Sequence, residues 1–325
     1  MLSRPSKMDV NSALSILENH AEYRVLRRVA AFAGADRPAG HEPGFALIVD
    51  TETTGLDTKS CKCIELGMLL VEYDRQSGSV VAEAGRYSGL QDPGEPLSVE
   101  VQRVTGLTNA DLEGQVFDET MIAGLVDQAD IVIAHNAQFD RPILERYWPA
   151  FVEKRFLCSL KQIDWPALGM SSGKLEWLAY SLGMFYPAHR AIEDCVALLA
   201  VLLHEIEGQT GFSRLLSTLD SASYVLNLTV PFDFKDKLKA LGSFRWLDQS
   251  ESFYFPKSWL LETGSKEDTR RMLKEIRDKV FNGCGFSCQI GKLSADNRFS
   301  VVKRPELKSF SMTTIGESAH RTRYA

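Results

Sequence analysis

The chain has 325 residues, 44% of them hydrophobic and 25% charged, the balance of a soluble globular protein long enough for a core domain plus a second module. A membrane span needs ~20 apolar residues and the richest run, Ala197–Leu203, is far shorter, while Asp9, Asn11, Glu18 and Asn19 interrupt anything resembling a signal peptide; the expected location is the cytoplasm, with no membrane partner. The net charge of −6 is uneven, since residues 222–325 carry 18 Lys/Arg against 12 Asp/Glu and residues 1–221 carry 19 against 31.

In chain order, residues 8–32 have helical spacing, with Leu14, Leu17, Tyr23 and Leu26 near one stripe, and Ala33–Gly44 reads as a linker rich in Gly, Pro and Ala. Phe45–Val49 is a short apolar strand. Ile64–Tyr73 and Val80–Ser88 are two more, joined by the turn-forming stretch Asp74–Gly78. A loop marked by Pro93, Gly94 and Pro96 leads to a short helix at Val99–Val104 and another near Asp118–Asp127. The strand Ile131–Ala134, a helix from about Phe139 to Trp148 and the strand Phe156–Cys158 follow. Leu175–Leu182 and Ile192–Ile206 read as helices, the second apolar enough to be largely buried. Three linked strands followed by alternating helix and strand predict an α/β fold, a mixed sheet flanked by helices.

After Gly211 the pattern changes. Tyr224–Val230 predicts a strand, Phe234–Leu241 a short helix, and Phe244–Trp246 with Phe253–Phe255 a strand pair around a polar turn. Lys266–Phe281 predicts a helix with Met272, Leu273, Ile276 and Val280 on one side, and strands near Phe286–Ile290 and Phe299–Val302 complete a small α+β domain. The expected organisation is a helical extension and linker over 1–43, a catalytic domain over 44–210, a basic accessory domain over 211–305, and a disordered polar tail over 306–325. Aromatic residues interleaved with basic ones at 238–255 suit single-stranded nucleic acid, and equally an aromatic core under a lysine-rich surface. Cys61, Cys63, Cys284 and Cys288 lack a paired zinc spacing and read as structural or free thiols.

Three segments carry chemistry. Asp50-Thr51-Glu52-Thr53-Thr54-Gly55 follows an apolar strand, and residues i and i+2 of extended chain share a face, so Asp50 and Glu52 project together. Two such carboxylates repel unless a cation sits between them. His135-Asn136-Ala137-Gln138-Phe139-Asp140 follows the strand Ile131–Ala134 and puts Asp140 at a helix start. His189-Arg190-Ala191-Ile192-Glu193-Asp194 puts Asp194 one turn into an apolar helix, where an unpaired carboxylate is costly. Each alone is ordinary: a solvated strand end, an acid in a first helical turn, a structural histidine.

Together and in this order, D-T-E-T-T-G, H-N-A-Q-F-D and H-x4-D resemble the Exo I, II and III motifs of the DEDDh exonucleases, which include the epsilon proofreading subunits of bacterial replicative polymerases. The resemblance covers about residues 45–207. It implies a ribonuclease-H-like mixed five-stranded sheet and metal-dependent 3′→5′ removal of nucleotides from nucleic acid with a free 3′ end. It also implies two Mg²⁺ or Mn²⁺ ions, about 3.5–4 Å apart in such sites, with Asp50 bridging both, Glu52 and Asp194 completing one, Asp140 supporting the other, and His189 as general base. Oxygen-only ligands suit these hard ions. Thr53 and Leu56 match positions at the terminal nucleotide, Asn136 and Phe139 positions at the penultimate one, and Thr51 is a further expected substrate contact. Val104-Thr105-Gly106-Leu107-Thr108 resembles the family's V-H-G-I-T segment, with Thr105 replacing the usual histidine, and the resemblance implies that Thr105 and Leu107 contact the substrate. A DNA polymerase or a repair protein is the expected partner besides nucleic acid.

Overall fold

The N-terminal helix is shorter than its periodicity predicts. In the computed structural model, which describes residues 9–242, 244–247 and 257–313, α1 runs only from Val10 to Glu18 and buries no residue. The chain then crosses a two-residue strand, β1 (Arg27–Arg28), and reaches the sheet. A helix with no buried stripe has little besides local propensity to extend it.

The first sheet is built from β2 (Pro43–Thr53), β3 (Cys63–Asp74), β4 (Val80–Leu90), β5 (Ile131–Ala134) and β6 (Arg155–Cys158), in the order β4-β3-β2-β5-β6. β3 is antiparallel to both β2 and β4, and β5 runs parallel to β2. The mixed five-stranded, ribonuclease-H-like sheet expected from the motifs is therefore present. β2 outruns its predicted apolar stretch at both ends, so Asp50 and Glu52 lie within the strand, and a register shift falls at Glu52/Thr53. Its middle, Ala46–Val49, is buried together with Ile131–Ile133 of the neighbouring β5.

Between β4 and β5 lie α2 (Val99–Thr105), α3 (Asn109–Leu112) and α4 (Glu119–Gln128), each started by a side-chain cap from Ser98, Thr108 or Asp118. α5 (Ala137–Tyr147) follows β5 directly and carries Asp140 in its first turn. After β6 come α6 (Ser159–Gln162), α7 (Leu175–Ser181) and β7 (Met184–Phe185), which pairs in parallel with β1. The apolar helix α8 (Ala191–Leu203) buries eight of its side chains. It stops short of Ile206 because β8 (Glu205–Ile206) and β9 (Gln209–Thr210) form a tight hairpin, whose turn residues Glu207 and Gly208 have φ of 52° and 77°. Two left-handed residues in succession are what such a two-residue turn requires. α9 (Gly211–Leu216) ends this region.

The chain divides into two compact units, Met1–Ile143 with Leu157–Leu216, and Leu144–Phe156 with Ser217–Ala325. The second unit thus claims a segment from the middle of the chain, which a division at residue 210 does not anticipate. Its sheet comprises β10 (Ser223–Leu228), β11 (Arg245–Leu247), β12 (Ser258–Thr263), β13 (Phe286–Leu293) and β14 (Leu307–Met312), in the order β11-β12-β10-β13-β14 and antiparallel throughout. A short helix, α10 (Lys235–Lys239), and a longer one, α11 (Lys266–Glu275, continued by a π turn to Val280), supply Leu238, Leu273, Ile276 and Val280 to a core with Leu226, Leu228, Trp259 and Leu261.

Three expectations for this unit change. The strand paired with β11 is Ser258–Thr263, and Phe253–Phe255 lie outside the described residues. Residues 299–302 form bends, not a strand: Phe299 has a φ of 67°, and the Ser300 hydroxyl accepts hydrogen bonds from the Val302 and Lys303 amides. The strand lies instead at Leu307–Met312, inside the expected disordered tail, where only Leu307, Phe310 and Met312 pack inward while Lys308, Ser309 and Ser311 are exposed. A half-polar edge strand carries little apolar signal.

Candidate active site

β2 and β5 are parallel neighbours, so the chain leaves both at the same end of the sheet, and the segments that follow can converge there. Asp50 and Glu52 project from the last residues of β2, with Thr51 and Thr53 buried on the opposite face. The third member comes from α8. Asp50, Glu52 and Asp194 each offer a carboxylate oxygen such that all three atoms lie within 4.8 Å of one another, and all three residues are half-buried. Asp140 is buried beside them, 3% exposed, with Oδ1 accepting hydrogen bonds from the Thr51 amide (3.1 Å) and hydroxyl (2.8 Å).

α8 reaches the sheet through a close approach. Gly67 on β3 stands opposite Asp50 in register, and a Cβ there would fall 2.5 Å from the Ala191 oxygen and the Ile192 nitrogen. Only glycine lets the first turn of α8 lie against the strand, which brings Asp194 to the end of β2. The Asp194 carboxylate accepts hydrogen bonds from the Tyr186 hydroxyl (2.9 Å, Oδ1) and the Arg190 amide (3.2 Å, Oδ2). Exposed His189 precedes this turn in the left-handed region, with a φ of 64°.

Crowding acids in a poorly solvated place favours their protonated forms. Burial is the leading cause for each. It raises Asp50 well above the usual range with help from Asp140, Asp194 and Glu52, and it lifts Glu52 to about 8 with help from Asp194 and Glu65. Asp140 rises to about 7, its hydrogen bonds from Thr51 opposing the shift. Asp194 is raised too, against the opposing effect of Tyr186, nearby His189 and the adjacent amides. A site whose carboxylates hold protons near neutrality for lack of a counter-charge suits divalent cations, and the all-oxygen donor set of Asp50, Glu52 and Asp194 fits hard ones.

Three further residues belong to this neighbourhood although the motif reading did not single them out. Glu65 on β3 faces Glu52 across the strand pair and is 0% exposed, and Arg190 Nε donates to both its oxygens at 3.1 and 3.2 Å. Burial raises Glu65 while Arg190 pulls it back. The signal was a lone acid in the apolar run Ile64–Val71. Tyr186 is the third, three residues before His189.

The expected nucleotide contacts separate. Leu56 is 89% exposed, Asn136 is exposed and Phe139 half-buried. Leu107 is 3% exposed, packed with Ile64, Leu97 and Leu112, so its side chain is core. Thr105 is buried, its hydroxyl donating to the Val101 carbonyl and accepting from the Leu107 amide. Thr53 donates to the Gly55 carbonyl, and Thr51 orients Asp140. His135 is anchored between the Ser159 hydroxyl (2.9 Å) and the Gly173 carbonyl (2.8 Å), and burial lowers it to about 4.

A mixed sheet of this order, with acids gathered where two parallel strands end, defines a nuclease of the ribonuclease-H-like class. Residues 47–202 match the family model RNase_T, Exonuclease. The chain is similar to the DNA polymerase III subunit epsilon of Aquifex aeolicus, 26% identical over 171 residues that cover 50% of this chain and 81% of that protein. It is 29% identical over 191 residues to the PolC-type DNA polymerase III of Thermotoga petrophila, covering 55% of this chain and 13% of that protein. Among solved structures, exonuclease X in complex with 5′ overhanging duplex DNA aligns with a TM-score of 0.37 at 21% identity, covering 52% of this chain and 99% of that one. Residues 47–202 are an exonuclease domain of the DEDDh 3′–5′ type, and the chain is a 3′–5′ exonuclease. Among the described residues, no helix is long and apolar enough to cross a membrane.

Proposed function

We propose that the enzyme shortens nucleic acid, DNA in preference to RNA, from a free 3′ end and releases 5′-mononucleotides by a two-metal mechanism. The observation that carries this reading is the gathering of Asp50, Glu52 and Asp194 within 4.8 Å beside buried Asp140. Asp50, Glu52 and Asp194 would hold the ions, with Asp140, oriented by Thr51, supporting them. Two Mg²⁺ or Mn²⁺ ions held there would neutralise charge on the scissile phosphate and acidify the attacking water. His189 takes the proton of that water as its oxygen bonds to phosphorus; the bond from phosphorus to the 3′ oxygen breaks and that oxygen takes up a proton from solvent water. Leu56, Asn136 and Phe139 are the side chains we assign to the last two nucleotides. Preference for DNA follows from the DNA polymerase subunits among the relatives, and a cytoplasmic location fits the same relatives.

The test is digestion of end-labelled DNA and RNA oligonucleotides, blocked or free at either end, with Mn²⁺ and with EDTA. Stepwise shortening from free 3′ ends, faster on DNA and absent in EDTA or in Asp50→Asn, is the expected result. Activity that survives EDTA and Asp50→Asn removes the assignment. A second reading, a proofreading subunit acting chiefly through a polymerase, is favoured by the name of the Aquifex relative; stable co-purification of a polymerase with the full chain would decide for it.

A further inference from the structure

We infer that Arg190, locked in place by Glu65, is a positioning residue that sets the histidine loop against the metal ligands; this rests on the reading of His189 as general base.

The observation that needs explaining is the backbone of His189. A non-glycine residue at a φ of 64° is strained and persists only where its surroundings over-determine it. The next residue supplies that constraint twice. The Arg190 amide donates to Asp194 Oδ2 at 3.2 Å, which fixes the peptide plane between His189 and Arg190. The Arg190 guanidinium binds both oxygens of Glu65 through Nε. Glu65 cannot shift to follow, because it lies on β3, between β2 and β4 in the sheet, 0% exposed and opposite Glu52. One side of the loop is thus tied to a metal ligand and the other to a fixed point on β3.

The chemistry of the pair argues for geometry over stability. A buried carboxylate loses its hydration at a large cost, and an arginine whose side chain is 45% exposed recovers only part of that. An apolar residue at position 65, like its neighbours Ile64 and Leu66, would fill the sheet without the penalty. What an apolar residue cannot do is accept the Arg190 Nε hydrogen bonds and so hold the planar guanidinium in one orientation. A general base must meet its water within hydrogen-bond reach, and a displacement of about 1 Å can cost on the order of a hundredfold in rate.

The test uses the full chain, Mn²⁺ and a 5′-labelled single-stranded DNA, with Arg190→Gln and Glu65→Gln made alone, together and in a His189→Ala background. Arg190→Gln is expected to lower kcat by about tenfold to a hundredfold with KM changed by less than about threefold. Its melting temperature in EDTA should fall, because buried Glu65 loses its charge partner, while circular dichroism should show the parental fold. Glu65→Gln should match it, the double variant should be no worse than the poorer single, and Arg190→Lys, which keeps the charge without the fork, should fall between. If Glu65→Gln fails to fold, the Arg190 variants alone carry the test. In the His189→Ala background, Arg190→Gln should change the rate by less than about threefold. A full-sized further loss on top of an impaired His189→Ala overturns the inference alone, as does an Arg190→Gln enzyme with parental kcat. A His189→Ala enzyme that keeps more than about a tenth of the rate overturns the assignment of the base, and the inference with it.

Discussion

Each unit of the molecule contains a five-stranded sheet, yet they use it differently. The catalytic unit mixes parallel and antiparallel neighbours, so segments far apart in sequence, after β2 and after β5, emerge at one end and meet α8 there. In the second unit every neighbour is antiparallel, so adjacent strands deliver their ends to opposite edges. Among the described residues, Asp50, Glu52 and Asp194 form the one acidic group able to hold a metal ion, and it lies in the mixed unit. Convergence of strand ends makes a site out of residues that are ordinary one by one.

The largest effect is expected from cutting that comparison in two. Ending the chain after Leu216 removes the partners that residues 144–156 have within their own unit: Val301 donates to Glu145 at 2.9 Å, Phe156 to the Ala295 carbonyl at 2.8 Å, and Lys303 pairs with Glu153 at 2.7 Å. The shortened protein should be insoluble or lack a cooperative melting transition by calorimetry. A soluble fragment with the parental kcat on short oligonucleotides would mean that the two units fold independently.

Next come the acids. Asp50→Asn or Asp194→Asn should lower kcat to below about a thousandth in a rate assay with Mn²⁺, without loss of fold by circular dichroism. Gly67→Ala sharpens the role of close packing. The added methyl must push the first turn of α8 away from β3, and about a hundredfold loss in kcat is expected, with destabilisation of about 1–3 kcal/mol in a denaturant titration. Tyr186→Phe removes one hydrogen bond to Asp194 and should cost only about threefold to tenfold, read as a higher Mn²⁺ concentration for half-maximal rate.

The catalytic unit was legible in the sequence because its signals agree. Apolar strands of ordinary length end in the three motifs, and the apolar face of α8 runs on from Asp194. The residues behind the motifs were not legible, since nothing local distinguishes Glu65 from a stray acid or Gly67 from any other strand glycine; their meaning lies in what stands opposite. Leu107 was misjudged for the same reason, its burial being set by Ile64, Leu97 and Leu112. In the second unit, β14 escaped because its outward side chains are Lys308, Ser309 and Ser311. The claim on residues 144–156 escaped because contact across ~150 residues of chain leaves no periodic trace.

The central claim is that the acidic cluster exists to hold divalent cations, and the most direct measurement is melting temperature against pH, from 6.5 to 8.5, with EDTA or Mn²⁺. Glu52 and Asp140 keep their protons in the folded protein up to about 8 and 7, whereas in the unfolded chain they lose them near pH 4. Stability is therefore fully present below about pH 4 and lost as pH rises through the folded values, at most about 1.4 kcal/mol per pH unit per group. Glu72, lowered to about 2 by Arg37 and His41, acts only at lower pH, and His135, lowered to about 4 by burial, adds only a small remaining gain as pH rises past its unfolded value of about 6.5. In EDTA the melting temperature should fall across this range, Mn²⁺ should restore it most at pH 8.5, and Asp50→Asn should flatten both responses. A melting temperature that holds steady or rises with pH in EDTA, with no response to Mn²⁺, would contradict the account.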